Sequence, residues 1–360
     1  MPPGRKTAGA KAFELLDSTM ALSVAYIGLF NGLFDALADG RGARPQDLAA
    51  AQGLDAAYVR RWCEAAYAFG LLRQARGRYR LTPFARSALC TAGEEFSAGQ
   101  ILRGIFGTAV IAYNYALHMR DAARPGWGAW ARCAEFAPLF GSMMENVQQG
   151  TFLNEILPLV PDYAEVGAAG GTVMDMGCAN AWFLVTLAER FPGVTGVAMD
   201  FVEPNVTAAR AKIEAAGLQG RLMVQQANIA EYRFDRAYDL ICMNQVVHDV
   251  WDRRAEVLAR AREALREGGR IALWDRPFPE DLRDLKRTSM HFMVFLNLFE
   301  EMGGSHLLSE TEMVQGLREA GFADIRTYRV DQGAQAVVVG RKWGDGRTPV
   351  AAAHGQGRAA

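Results

Sequence analysis

From about residue 171 onward, the chain alternates between short apolar segments and amphipathic helical segments. The apolar segments include TVMDMG (172–177) and YDLICMNQVV (238–247), and the helical segments include RRAEVLARAREALREGG (253–269). Strands that are apolar along their whole length have both faces buried, which is typical of a parallel sheet with helices on both sides. The alternation predicts an α/β fold for residues 166–343, with a parallel sheet of seven strands.

Residues 1–98 are predicted to form a separate, largely helical domain. Residues 11–40 are helical in pattern and apolar on more than one face, so this helix needs a cover, which in a small domain is often a second subunit. A helix opened by Pro45, a second helix from Asp55 and two short strands around Gly77 follow. This order has the shape of a winged helix.

Composition limits the partners and the compartment. The net charge is −1, and the second helix of the winged-helix shape lacks a basic stripe, so we predict an oligomerisation module and no nucleic-acid partner. The five cysteines are scattered without a CxxC pair, which is typical of free thiols in a reducing compartment. The apolar stretch 20–37 is short and interrupted by polar residues, so no membrane span is expected and a cytoplasmic location is predicted.

The stretch MDMGCANAWF (174–183) lies where a parallel α/β sheet binds nucleotides, at the turn after its first strand. Gly177 allows a ligand to approach the backbone, and Asp200 at the end of the next strand can accept hydrogen bonds from both hydroxyls of a ribose. Asn244 closes the fourth strand in the same way. Because no lysine or arginine for phosphate lies near the turn, the ligand predicted is a nucleoside without phosphates.

At this point the sequence resembles the class I S-adenosylmethionine-dependent methyltransferases. The segments that carry the likeness are VMDMGCANAWFLVTLAERFPGVTGVAMDF, ALREGGRIALWD and LREAGFADIRTYRV. The segments GLFDALADG, LAAAQGLDAAYVRRW and GRYRLTP look like the winged-helix dimerisation domain of bacterial small-molecule O-methyltransferases. The likeness implies a Rossmann-like methyltransferase sheet, a homodimer formed through the N-terminal domain, and a small-molecule acceptor of the secondary-metabolite type.

The remaining segments are interpreted from their own pattern and composition. Residues 99–165, which are helical in pattern and rich in aromatic residues, would be connecting helices that roof the substrate pocket. Residues 344–360 are rich in glycine, alanine and arginine and are expected to form a disordered tail.

By resemblance, the cofactor S-adenosyl-L-methionine would be bound at the carboxyl ends of the first four strands. Asp200 would hold the ribose, with Phe201 near the adenine. The chain departs from the family at Ala179, Asn180 and Ala181, where the family pattern prefers glycines, and this implies a tighter pocket or a lower affinity. The predicted cofactor-binding residues are Asp175, Gly177, Ala179, Asp200, Phe201, Asn228, Ile229 and Asn244.

The segment NQVVHDVWDRR follows the fourth strand and supplies the candidate catalytic residues, His248 and Asp249. A histidine titrates near neutral pH, so His248 could take a proton from an acceptor hydroxyl while the oxygen attacks the methyl group. In the O-methyltransferases that the chain resembles, the histidine of this segment is the general base. O-methylation with His248 as general base is therefore the predicted activity.

An alternative comes from the spacing HDVW, with Trp251 one position later than in most O-methyltransferases. This spacing is similar to that of metal-dependent methyltransferases that C-methylate 2-oxo acids. In that alternative His248 and Asp249 would bind iron or zinc with a third ligand, for which His291 is the first choice. The competing candidates are Glu300, Glu301 and His306.

Two alternatives change the class of protein. A winged helix joined to a ligand-binding methyltransferase-like half could be a ligand-sensing transcription regulator. An enzyme could also use the cofactor as a scaffold without transferring its methyl group, which the presence of His248 does not exclude.

Overall fold

The computed structural model describes residues 8–90, 116, 119, 145, 148–232 and 237–343. The chain divides into two compact units, Met1–Ala116 and Leu117–Ala360, which we describe separately. The predicted boundary at 98/99, most of the predicted connecting helices and the predicted tail lie outside the described residues, so these assignments remain predictions.

The N-terminal unit has the predicted order of helix, turn, helix and two-stranded wing. Asp55 begins the second helix of the winged-helix shape, because its carboxylate accepts hydrogen bonds from the backbone N–H groups of Ala57 and Tyr58. The helix predicted over 11–40 ends instead at Phe30, shortly before Gly32, which has a φ of +64°. The elements are α1 (Ala8–Phe30), α2 (Pro45–Gln52), α3 (Ala56–Ala68), β1 (Leu72–Ala75), β2 (Arg78–Leu81) and α4 (Pro83–Leu89).

Helix α1 is more apolar and more exposed than the sequence analysis expected. By length and composition alone, Lys11–Phe30 could cross a membrane, with a mean hydropathy of 1.3 and 17% of its most apolar window buried. The stretch considered in the sequence analysis began at Met20 and was shorter, and the expectation of no membrane span stays a prediction. Phe13, Leu15 and Leu16 are exposed, so α1 presents an apolar face, as predicted for a helix that needs a cover.

The C-terminal unit contains the predicted seven-stranded sheet, with the order β5-β4-β3-β6-β7-β9-β8. The first five strands are parallel, and β9 is antiparallel to both β7 and β8. The strands are β3 (Thr172–Met176), β4 (Thr195–Asp200), β5 (Leu222–Gln226), β6 (Tyr238–Asn244), β7 (Leu265–Asp275), β8 (Ala323–Val330) and β9 (Gln335–Arg341).

Helices cover both faces of this sheet, as its apolar strands require. Two buried clusters lie on opposite faces, one around Trp182, Phe183 and Trp274 and the other around Trp251, Met313 and Leu317. The helices are α5 (Pro161–Ala168), α6 (Trp182–Arg190), α7 (Glu203–Ala215), α8 (Arg254–Ala264), α9 (His291–Gly303) and α10 (Glu310–Glu319), and Phe152–Ile156 forms a π-helical turn before α5.

Strand β7 begins earlier than the sequence pattern indicates. The helix predicted over 253–269 ends at Ala264, and the next residue, Leu265, already pairs with Tyr238 in β6. Leu265 is buried in that pairing, and Gly268 has a φ of +76°, which a helix does not allow. The predicted helix end is therefore wrong because tertiary pairing outweighs local helix propensity.

Strand order determines where a ligand can bind. Strand β3 lies between β4 and β6. The next two strands in the chain, β4 and β5, are added on one side of β3, and the later strands are added on its other side. Crevices in α/β sheets open beyond the carboxyl ends of the strands at such a switch point. Asp175, Asp200, Asn244 and Asp275 all lie at or next to these strand ends.

Candidate active site

The turn after β3 requires glycine at its first position. Gly177 has a φ of +75°, and a Cβ placed there would lie 2.5 Å from Cγ2 of Val246. The backbone N–H groups of Gly177 and Cys178 both donate to the carbonyl of Met199, at 2.8 and 2.9 Å. These bonds hold the turn against the end of β4 and leave its outer side facing the crevice.

The alanines that depart from the family pattern adopt the backbone conformation that favours glycine. Ala179 has a φ of +47°, and Ala181, which precedes α6, has a φ of +61°. A Cβ in this left-handed region approaches the following carbonyl and destabilises the conformation by roughly 1–2 kcal/mol. The glycine-type turn is thus retained with alanines, at a cost in stability.

We expect Ala179→Gly to stabilise the protein by up to about 1 kcal/mol, because it relieves the left-handed strain at a partly exposed position. Chemical denaturation of wild type and variant measures this change. The matched control is Ala208→Gly, in the interior of α7 and equally half-buried, which should destabilise the protein by about 1 kcal/mol. Equal losses in both variants would show that Ala179 is not strained.

Asp200 connects the end of β4 to the turn. One carboxylate oxygen accepts from the backbone N–H of Ala179 and the other from that of Val202, both at 2.9 Å, and Asn205 Nδ2 donates from 3.3 Å. Asp200 is buried, and burial raises its pKa although these hydrogen bonds oppose the shift. A buried acceptor therefore stands at the position predicted for the ribose.

Asp175 and Asn244 form a buried polar pair between the ends of β3 and β6. Asn244 Nδ2 donates to Asp175 Oδ1 at 3.0 Å, and burial raises the pKa of Asp175 to about 7. The other side-chain atom of Asn244, Oδ1, is buried without a hydrogen-bond partner. Buried polar atoms almost always have a hydrogen-bond partner, so this oxygen is a candidate acceptor for a donor on a bound ligand, such as an ammonium group.

The raised pKa of Asp175 makes the stability of the unliganded protein depend on pH. The pKa of Asp175 in the folded protein lies above the ordinary value of 3.8, so folding favours the protonated carboxyl. The contribution of this protonated group to the free energy of unfolding is fully present below about pH 4 and is lost as pH rises through about 7. Relative to Asp175→Asn, the free energy of unfolding of wild type should fall by about 1.4 kcal/mol for each pH unit between about 5 and 7. Denaturation of both proteins across this range measures the difference, and a pH-independent difference contradicts the prediction.

The remaining predicted cofactor residues lie near the ends of β4 and β5. Phe201 is 46% exposed directly after β4. Asn228 is exposed and its Oδ1 accepts from the backbone of Ala230, whereas Ile229 is buried. Their contacts with the adenine remain predictions.

His248 lies in a buried cluster of carboxylates. Its Nδ1 is 2.7 Å from Oδ2 of Asp275, the last residue of β7, and both residues are buried. Its Nε2 is 3.7 Å from Asp249 Oδ1 and 3.9 Å from Glu300 Oε2. The hydroxyl of Ser305 donates to the backbone carbonyl of His248, which fixes the start of this segment. One ring nitrogen is therefore held by Asp275, while the other faces two acids beyond hydrogen-bond distance.

The charges around His248 determine its protonation. Burial is the largest single influence and lowers the pKa of the imidazole, but the carboxylates of Asp275, Asp249 and Glu300 together raise it well above the ordinary 6.5. The cluster therefore stabilises a protonated imidazolium. A proton delivered to His248 would be held there.

The structure corrects the choice of third metal ligand. Among the described residues, the ligand atoms of His248, Asp249 and Glu300 lie within 4.8 Å of one another, and His291 is not part of this group. His291 is exposed at the start of α9, whereas Glu300 is buried. Nine residues of an α-helix turn through two and a half turns, so the two side chains point about 180° apart.

The other two candidates also lie outside the cluster. His306 is exposed and its Nε2 lies 3.2 Å from Oε1 of Glu312, and Glu301 is not among the grouped residues. Trp251, whose spacing suggested the metal-dependent branch, packs in the core against Gly316, where a Cβ would lie 2.5 Å from the indole ring. Packing thus accounts for its position.

Comparison with known proteins identifies the family. Residues 13–91 match the O-methyltransferase dimerisation domain and residues 173–269 match a methyltransferase domain. The chain is 27% identical over 332 residues to 3-hydroxy-5-methyl-1-naphthoate 3-O-methyltransferase of Streptomyces sahachiroi, covering 86% of this chain and 89% of that protein. The O-demethylpuromycin-O-methyltransferase of Streptomyces alboniger is 26% identical over 293 residues, covering 79% and 75%. The chain belongs to the class I S-adenosylmethionine-dependent methyltransferases.

A solved structure supports the fold of this methyltransferase. The O-methyltransferase NcsB1 from neocarzinostatin biosynthesis, in complex with S-adenosyl-L-homocysteine and 1,4-dihydroxy-2-naphthoic acid, superposes with a TM-score of 0.71. The two chains are 18% identical, and the match covers 94% of this chain and all of that one. The identity is low, so this likeness supports the fold alone.

The family assignment decides several of the earlier expectations. The methyltransferase uses S-adenosylmethionine, and the match to a dimerisation domain supports the predicted homodimer. Both halves match one enzyme family, so the transcription-regulator alternative is not favoured. The names of these relatives give no support to a metal cofactor.

Asp275 is the residue bonded to His248 that the sequence analysis did not name. The sequence does contain a sign of this residue. The apolar run ALWD ends in an acid, Asp275, just as the run VAMD ends in Asp200. No motif in the sequence links the acid at the end of the fifth parallel strand to the histidine that follows the fourth. The pairing between them needs the sheet order, since the two residues are 27 positions apart in the chain.

Proposed function

We propose that this methyltransferase O-methylates a small hydroxylated aromatic metabolite, with His248 as general base. The observation that carries the proposal is the buried hydrogen bond between His248 Nδ1 and Asp275 Oδ2, at 2.7 Å. A carboxylate on Nδ1 holds the proton on that nitrogen and leaves Nε2 as the acceptor. Nε2 is therefore the nitrogen that accepts a proton when the imidazole is neutral, and the raised pKa of His248 shifts this neutral, base-competent form to higher pH.

The class of acceptor comes from the relatives. One carries a naphthoate in its name and is a 3-O-methyltransferase, and another has a structure with a dihydroxynaphthoic acid bound. Both molecules are fused aromatic rings that carry an acid group. We propose an aromatic hydroxyl as the acceptor, because its oxygen becomes a good nucleophile once a base removes the proton.

The cofactor supplies a methyl group on a positively charged sulfur. We propose that Asp200 accepts hydrogen bonds from its ribose, and that Asn244 Oδ1 and Asp175 face the ammonium of its amino-acid end. Gly177 would leave space for the backbone turn to contact this end. The buried unpartnered oxygen of Asn244 supports this fit.

In the transfer step, His248 Nε2 would take the proton from the acceptor hydroxyl as the acceptor oxygen forms its bond to the methyl carbon. The cofactor would supply the methyl carbon and would keep the electron pair of the broken carbon–sulfur bond on its sulfur. The imidazolium formed on His248 would be stabilised by Asp275 and by the nearby Asp249 and Glu300. Transfer needs chiefly an in-line arrangement of oxygen, carbon and sulfur, which binding supplies.

A second candidate function is metal-dependent C-methylation of a 2-oxo acid. One observation favours it: His248, Asp249 and Glu300 could together offer one nitrogen and two carboxylate oxygens to a divalent ion. Iron and zinc accept such ligands. In this alternative Nε2 of His248 would bind the ion and would not be available as a base.

One experiment separates the two candidates. Purified enzyme is assayed for methyl transfer to 3-hydroxy-2-naphthoic acid and to phenylpyruvate, before and after dialysis against a chelator, with metal content measured in parallel. The proposal expects methylation of the hydroxynaphthoate that survives chelation. Methylation of the oxo acid that is lost on chelation and restored by iron or zinc would establish the second candidate.

A further inference from the structure

Gln148 is a buried amide whose hydrogen-bonding atoms are both unsatisfied. The residue is 2% exposed, and neither its Nε2 nor its Oε1 has a hydrogen-bond partner. A side-chain amide offers two donors and one acceptor, and burying them unpaired destabilises a protein. Such groups are rare in native proteins, so a ligand is a natural explanation for one beside a binding crevice.

The neighbours of Gln148 place it beside the cofactor turn. The next residue, Gln149, donates from Nε2 to the hydroxyl of Thr186 in α6 at 2.9 Å. Three residues before Gln148, the carboxylate of Glu145 accepts from Asn180 Nδ2 in the turn itself, at 2.7 Å. Contacts on both sides of Gln148 thus join its helical segment to the turn after β3 and to the start of α6.

The following turn extends this contact to the carboxyl end of β7. Phe152 packs edge-on against Trp182, with ring centroids 6.5 Å apart, and stacks on Trp274 at 6.4 Å. Trp274 directly precedes Asp275, the partner of His248. Phe152 also begins the π-helical turn, a distortion often found at functional sites. Gln148 therefore lies on a segment that contacts both the cofactor turn and the residue next to Asp275.

The chemistry of the unsatisfied atoms identifies the ligand group. An amide with a free donor and a free acceptor complements a group that carries both a carboxylate and an ammonium. The amino-acid end of the cofactor is such a group, and the free Oδ1 of Asn244 is a second acceptor in the same unit. An adenine edge could also pair with an amide. The adenine, however, is expected at the ends of β4 and β5, near Phe201 and Asn228, whereas the segment of Gln148 contacts the turn after β3.

We propose that Gln148 binds the amino-acid end of S-adenosylmethionine, with Nε2 donating to the carboxylate. The inference rests on the cofactor that the proposed function uses. It assigns a polar contact with the cofactor to a residue that no sequence motif indicates. Hydrogen bonds to charged groups contribute about 1.5–3 kcal/mol, which corresponds to roughly a 10- to 100-fold change in affinity.

The test compares two ligands on wild type and on Gln148→Met, which keeps the length of the side chain but removes both polar atoms. Calorimetry should give S-adenosylhomocysteine an affinity 10- to 100-fold weaker in the variant. The affinity for 5′-methylthioadenosine, which lacks the amino-acid end, should not change. The melting temperature of the unliganded variant should equal or exceed that of wild type, because an unsatisfied buried amide has been removed. Gln148→Glu should weaken S-adenosylhomocysteine binding further, since it places a carboxylate against a carboxylate.

Gln315→Met is the matched control, since Gln315 is exposed on α10 with its amide bonded to Glu319, and the affinity of this variant for both ligands should equal that of wild type. Unchanged binding of S-adenosylhomocysteine to Gln148→Met would overturn the inference and indicate an amide that serves only as a core residue. Equal losses for both ligands would also overturn it, because they would mean a general distortion of the site. If wild type binds neither ligand, the proposed function itself fails, which is a different result.

Discussion

Replacing His248 with asparagine should lower kcat for O-methylation by about 10²- to 10⁴-fold, the range over which a general base contributes. Asparagine retains a polar side chain that can bond to Asp275, but it cannot accept the proton of the acceptor hydroxyl. The affinity for S-adenosylhomocysteine should stay near that of wild type, because His248 contacts Asp275, Asp249 and Glu300, none of which is a predicted cofactor-binding residue. Turnover measured at saturating cofactor, with calorimetry on the same samples, gives both values.

The control for this experiment is His291→Asn. His291 was the first choice as a metal ligand from sequence, yet it is exposed and does not belong to the His248 cluster. Its replacement should leave turnover unchanged. Full activity in His248→Asn would rule out the general-base role, and parallel losses of activity and bound metal would favour the metal-dependent alternative.

Replacing Asp200 with asparagine should weaken the binding of S-adenosylhomocysteine by about 100-fold. The substitution removes the negative charge and one of the acceptor oxygens, and hydrogen bonds from ribose hydroxyls to a carboxylate contribute about 1.5–3 kcal/mol. It also disturbs the turn, since Asp200 accepts from the backbone of Ala179 and Val202. Calorimetry measures the affinity, and the melting temperature without ligand shows how much of the loss comes from the turn.

A second strand aspartate serves as the comparison. Asp239 lies near the beginning of β6, at the opposite end of the sheet from the crevice, and accepts from the backbone of Thr172 at 2.7 Å. Asp239→Asn should lower stability without changing the affinity for S-adenosylhomocysteine. Comparable affinities in Asp200→Asn and wild type would contradict the ribose assignment.

Much of the site could be predicted from sequence because parallel strands end at one edge. Asp175, Asp200 and Asn244 each close an apolar run, and the carboxyl ends of such strands meet wherever the sheet is parallel. The glycine-type turn was equally visible, since small residues follow Gly177. That Ala179 and Ala181 both adopt left-handed φ angles could not be read from their identity, because alanine rarely adopts them.

The periodicity of the chain by itself determined the α/β class, the seven strands and the acids at their ends, because burial on two faces leaves a local signature in every strand. Only the tertiary structure decided that Asp275 bonds to His248, that Glu300 and not His291 reaches the cluster, and that Gln148 is buried without a partner. These facts depend on strand order, on the rotation of a helix about its axis and on what covers a side chain. Each is a relation between segments distant in the chain, and local propensity carries no information about it.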